Sequence, residues 1–144
     1  MQKVRLSDLS QCAKEVLAGL HAKEGAAIVA LRGDLGAGKT TFTQALAREL
    51  GITDIIQSPT YVLMKKYEIK KASPFTTLIH IDAYRLEDPK EFSALNPEQF
   101  LQDPKTVVAV EWPERLGSAL PAPDLIIRFS SEGAGEGERY VALG

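Results

Sequence analysis

Gly33-Asp34-Leu35-Gly36-Ala37-Gly38-Lys39-Thr40 fits G-x-x-x-x-G-K-[ST], the phosphate-binding P-loop pattern. The flanking residues supply the context that the pattern needs. Ala26–Leu31 is an apolar run bounded by Gly25 and Gly33 and reads as a buried strand. Thr40–Leu50 places Phe42, Ala45, Leu46 and Leu50 on one helical face, and Gly51 is a natural stop. Strand, glycine loop and helix together predict a polyphosphate site. Gly33, Gly36 and Gly38 allow the backbone to curl so that successive N–H groups point inward. The helix start adds its positive dipole end. Lys39 has the reach and charge to meet β- and γ-phosphates, and the Thr40 hydroxyl is suited to Mg²⁺.

Working outward, the 144 residues suit one domain, 1–144, with 44% hydrophobic and 25% charged residues. No apolar run approaches the ~20 residues of a membrane span, and the first residues lack a signal-peptide core. A single cysteine, Cys12, excludes an internal disulfide and fits a cytoplasmic protein. It falls on the apolar face of a predicted helix and reads as a small hydrophobe. That helix carries Leu9, Cys12, Ala13, Val16, Leu17 and Leu20 at helical spacing, with Asp8 and Gln11 resembling a capping box. It covers the sheet, with a few N-terminal residues near a bound base. The net charge of −2 does not mark a nucleic-acid binder. Lys65, Lys66, Lys70 and Lys71, around Tyr67, read as a solvated hairpin tip or as a partner or RNA contact.

Beyond the loop helix, Ser58-Pro59-Thr60 reads either as turn chemistry or as a switch that orders on a γ-phosphate. Thr60–Glu68, Thr77–Asp82 and Lys105–Val110 read as strands, and Asp88–Leu95 and Pro97–Leu101 as short helices. Leu125–Phe129 and Tyr140–Leu143 read as a closing hairpin around 130–137.

A P-loop site needs an acid at the end of a buried strand near the loop. Glu111 follows Val107-Val108-Ala109-Val110, and Asp82 follows Leu78-Ile79-His80-Ile81. Both acids emerge on the phosphate side if their strands run parallel to the P-loop strand. The assignment is Glu111 on Mg²⁺, directly or through water, with Asp82 orienting or deprotonating the attacking water. The two roles are interchangeable at this level. The competing readings are a helix cap at Asp82 and a surface ion pair at Glu111. His80, within a strand, reads as a hydrogen-bonded core histidine, and Trp112 as packing or as pocket lining.

GDLGAGKTTF (33–42), SPTYVL (58–63), HIDAYRL (80–86) and VEWPERL (110–116), in this order, resemble the bacterial TsaE family, the small ATPase of tRNA threonylcarbamoyladenosine synthesis. The resemblance covers nearly the whole chain. It implies an α/β fold: a P-loop NTPase-like three-layer core with a mixed, partly parallel sheet. It implies ATP and Mg²⁺ as cofactors, with weak hydrolysis activated in a complex with TsaB and TsaD. Hydrolysis resets that complex, and tRNA is involved indirectly. It also implies Lys39, Asp82 and Glu111 as catalytic residues, and Thr40 and Glu111 as metal residues. Gly33, Asp34, Gly36, Ala37, Gly38, Lys39, Thr40 and Thr41 are the implied phosphate cradle; Ser7, among the N-terminal residues near a base, and Trp112, after a strand-end acid, complete the expected nucleotide contacts. One departure stands out: Asn96 follows Leu95 where the family has Leu-Gly, and Asn tolerates the left-handed conformation that Gly would adopt.

Two other classes compete. A nucleotide-gated scaffold needs no catalytic group beyond two acids. A small-molecule kinase usually needs an arginine-bearing lid, and the seven arginines here are scattered.

Overall fold

β2 (Ala27–Arg32) is buried along its first five residues, as a strand covered on both faces must be. The computed structural model describes residues 1–21, 23–34, 36–54, 56 and 63–144. Around β2 stand β1 (Gln2–Arg5), β3 (Met64–Glu68), β4 (Thr77–Asp82), β5 (Thr106–Glu111), β6 (Leu125–Ser130) and β7 (Glu138–Leu143). They form one sheet in the order β1-β7-β6-β2-β5-β4-β3. β2 is parallel to β5 and β6, and β4 is parallel to β5. The outer strands β3, β7 and β1 run antiparallel to their neighbours. The expected α/β fold with a mixed, partly parallel sheet is the one adopted. The alternation of side chains along each strand splits the core in two. Val29, Leu31, Leu78, Val107, Ala109 and Ile127 face α1 (Leu9–Gly19) and α2 (Lys39–Glu49), meeting Leu9, Ala13, Phe42 and Leu46. Ile28, Ile79, Ile81, Val108 and Val110 face the other way, onto Phe92 of α3 (Lys90–Ser93), Phe100 of α4 (Glu98–Leu101) and Leu116.

β1 is a strand that the sequence reading did not foresee. Gln2, Lys3 and Arg5 give it almost no apolar alternation, and it exists because it pairs with β7. The Asp8 capping box is also corrected. Leu6–Asp8 forms a 3₁₀ turn that leads into α1, Asp8 makes no side-chain cap bond, and the Gln11 amide faces Glu15 instead. Ser58-Pro59-Thr60 lies outside the described residues. Lys65, Lys66, Lys70 and Lys71 are exposed at the β3–β4 hairpin, while Tyr67 between them is buried in the core. Among the described residues no helix is long and apolar enough to cross a membrane.

Asn96 adopts φ +53°, the left-handed turn anticipated for it between α3 and α4. An Asn96→Ala variant is expected to lose about 1–2 kcal/mol, while Asn96→Gly stays near wild type; urea unfolding of the pair reads the difference.

Candidate nucleotide site

The carboxyl ends of β2, β4 and β5 converge because the three strands are parallel. Register pairs Leu31 with Glu111 and Asp82 with Glu111, so both predicted acids stand beside the loop that leaves β2. Glu111 shares its face with Val107 and Ala109, which points its side chain toward α2. Thr40, in the first turn of α2, meets it there. The Thr40 hydroxyl lies 3.0 Å from each carboxylate oxygen of Glu111. The carboxylate is 3% exposed, which rules out the surface ion pair. Its second neighbour is His80, wholly buried, with Nε2 2.6 Å from Oε2 of Glu111. The core histidine expected from the sequence is therefore bonded to a site acid. Asp82 is half-buried, and its Oδ1 accepts the Tyr84 N–H at 3.0 Å. No helix starts there, so the carboxylate braces the strand-to-loop turn instead of capping a helix.

Lys39 opens α2 and is 4% exposed. Its ammonium donates to the carbonyls of Gly33 and of Asp34, the latter at 2.9 Å, and lies 4.2 Å from the centre of the Trp112 ring. Burial pushes its pKa below the usual lysine value, against the opposing pull of Glu111, Asp82, Glu114 and Asp34. Gly33 must be glycine: φ is +150°, and a Cβ would stand 2.6 Å from the Phe129 carbonyl oxygen. Trp112 follows β5 in the left-handed region, φ +59°, an unusual conformation for a bulky residue and one that costs about 1–3 kcal/mol. Its neighbours hold it: Pro113 starts a 3₁₀ turn, Tyr84 packs 5.2 Å away, and the guanidinium of Arg115 sits 5.7 Å from the ring.

Lys39, Thr40, Asp82, Glu111 and Trp112 line a cavity of about 570 Å³, together with Leu6, Gly36, Ala37, Gly38, Thr41, Tyr84, Arg85 and Arg139. Ser7 is not among the lining residues. It is exposed on the 3₁₀ turn, whose geometry sends Leu6 inward in its place. Gly33 and Asp34 are not among the lining residues either; they contribute the carbonyls that hold Lys39. Leu6 and Arg139 were not foreseen as wall residues. Arg139 Nε donates to the Gly36 carbonyl at 3.1 Å, and a Cβ on Gly38 would come within 3.4 Å of Leu6 and 3.6 Å of Arg139. No motif marks these two. Only the β1–β7 pairing carries both of them to the loop.

The donors suit a hexacoordinate Mg²⁺. The Thr40 hydroxyl and the Glu111 carboxylate, which lie within 3.0 Å of each other, are the oxygen donors that would hold it. Among the described residues no group of three or more His, Cys, Asp and Glu is placed to hold a metal unaided. A cation held by Thr40 and Glu111 would complete its shell with waters or phosphate oxygens.

A sequence profile described as "Threonylcarbamoyl adenosine biosynthesis protein TsaE" matches residues 5–141. The chain is similar to the tRNA threonylcarbamoyladenosine biosynthesis protein TsaE of Bacillus subtilis: 40% identity, covering 81% of this chain and 68% of that protein. Its counterpart in Haemophilus influenzae is 35% identical over 80% of this chain and 69% of that protein. The Synechocystis protein of the same name is 48% identical, and the match spans 62% of this chain and about half (55%) of that protein. The crystal structure of Bacillus subtilis YdiB superposes with a TM-score of 0.69 at 29% identity, covering 99% of this chain and 84% of that one.

Proposed function

The chain belongs to the TsaE family, and from that premise we propose that it binds ATP with Mg²⁺ and hydrolyses it weakly in the service of tRNA threonylcarbamoyladenosine biosynthesis. The observation that carries the reading is the meeting of Thr40 and Glu111 at 3.0 Å beside the P-loop lysine. Thr40 and Glu111 would hold the metal, which neutralises charge on the β- and γ-phosphates when bound. The backbone N–H groups of the loop and of the start of α2 bind the phosphate oxygens. Lys39 leaves the carbonyls of Gly33 and Asp34 for the γ-phosphate. Asp82 orients the attacking water. Leu6 and Arg139 close the far side of the loop. TsaB and TsaD are the proposed partners and raise the hydrolysis rate. The cytoplasm is the proposed compartment, and tRNA is reached through the complex.

Calorimetry with ATP and Mg²⁺, followed by phosphate release with and without TsaB and TsaD, tests this reading. Binding with partner-stimulated release is the expected result. No uptake of ATP by the chain, alone or with those partners, would overturn it. Asp82 favours a second reading, a nucleotide-gated scaffold, because its carboxylate is engaged in bracing the turn at Tyr84. An Asp82→Ala variant that binds ATP, hydrolyses none and still supports tRNA modification would favour the scaffold over the ATPase.

A further inference from the structure

We propose that His80 is a positioning residue: its Nε2–H holds the carboxylate of Glu111 in the orientation that the metal and Thr40 require. The inference rests on the nucleotide reading above and adds to it a residue that touches neither nucleotide nor metal.

The placement follows from register. His80 pairs with Ala109 across the parallel β4–β5 ladder, and Glu111 lies two residues further along the same face. The ring therefore reaches diagonally to the acid. In that face of β4, Leu78 is core and Asp82 rims the cavity, with His80 between them. An apolar side chain there would complete the core, whereas a buried imidazole costs free energy unless it is hydrogen-bonded. Among the described residues its ring's one hydrogen bond is to Glu111 Oε2, at 2.6 Å, while Nδ1 is buried without a partner. That asymmetry fixes the proton. A hydrogen on Nδ1 would leave a buried donor unmatched and turn a lone pair toward a carboxylate. A hydrogen on Nε2 donates to Oε2 and leaves only an unmatched acceptor.

The consequence falls on Glu111. The Thr40 hydroxyl is equidistant from its two oxygens and does not distinguish them. The ring does: it engages Oε2 and leaves Oε1 without a ring contact. A glutamate side chain has three rotatable bonds, and a ligand held in one rotamer binds a metal without first being ordered.

The test compares His80→Leu, His80→Gln and His80→Asn in the full chain. The readout is the Mg²⁺ concentration needed for tight ATP binding, by calorimetry, beside ATP binding in EDTA and thermal unfolding. Leu removes the donor. Gln carries an N–H near the Nε2 position, and Asn is too short to reach Oε2. The His80→Leu and His80→Asn variants are expected to need about 10–100-fold more Mg²⁺, with metal-free ATP binding unchanged and His80→Gln close to wild type. A folded His80→Leu with the wild-type Mg²⁺ requirement overturns the proposal. So does equal impairment of Gln and Asn, which would mean that ring shape matters and the donor does not. Should His80→Leu not fold, the Gln/Asn comparison decides alone. Failure of the wild type to bind ATP with Mg²⁺ would instead overturn the nucleotide reading itself.

Discussion

Lys39→Ala is expected to lower ATP turnover by about 10²–10³-fold, the effect of removing one preorganised group from a developing phosphate charge, while leaving the fold intact. The reason lies in what the ammonium does before nucleotide arrives. It is held by two loop carbonyls and an indole face inside a nearly buried site. That environment does not fully replace water, because burial outweighs the nearby acids and pulls the pKa down. The folded-state pKa therefore lies below the unfolded one. In the alkaline window just under the usual value of 10.5, the unfolded chain holds more protons, and this group's contribution to stability rises with pH. At neutral pH the buried charge is a cost to the fold, which a bound phosphate would offset. Alanine at this position removes the cost along with the function. Thermal unfolding and phosphate release, measured on the same preparation, check both halves. The variant should melt no lower than wild type and turn over far more slowly. Wild-type turnover from Lys39→Ala would remove the lysine from the mechanism.

How much of this was readable beforehand depended on whether a residue's role is local. The P-loop and its two flanking elements are one contiguous stretch, so periodicity and glycine spacing disclosed them. The two acids were readable because each ends an apolar run, and parallel strands bring such ends to one side. Asn96 was readable because its backbone preference is its own. The rest depends on pairing between distant segments. β1 has no apolar rhythm and is a strand only beside β7, so nothing in Gln2–Arg5 announced that Leu6 and Arg139 would share a wall of the cavity. Ser7 was expected there as one of the N-terminal residues near a base, one residue from the side chain that the 3₁₀ turn turns inward. Glu111 read as possible surface because it ends its strand, but α2 and His80 cover it to the last residue. The left-handed turn at Trp112, which sets the indole against Lys39, is imposed by tertiary contacts and contradicts local preference.

Glu111→Gln is expected to separate the acid's two duties. In the wild type the carboxylate accepts hydrogen bonds from Thr40 and His80 while buried. A glutamine keeps that shape and can satisfy both neighbours. Its carbonyl oxygen accepts from His80 Nε2, and its amide donates to a Thr40 hydroxyl that has rotated to accept. The buried charge is gone, and with it a desolvation cost, so the melting temperature should hold or rise. The affinity for the metal should not survive. A neutral amide gives a hard divalent cation far less than a carboxylate does. Turnover should then fall by at least the ~10²–10³-fold expected for one lost electrostatic group, recovering in part at high Mg²⁺. Glu111→Ala does not separate the duties, because it leaves the His80 donor buried without an acceptor and costs about 1–3 kcal/mol of stability besides. Unfolding curves and a Mg²⁺ titration of ATP turnover distinguish the two variants. Glu111→Gln with full turnover at the wild-type Mg²⁺ requirement would show that the metal is held elsewhere and that this carboxylate serves only to tie β5 to α2.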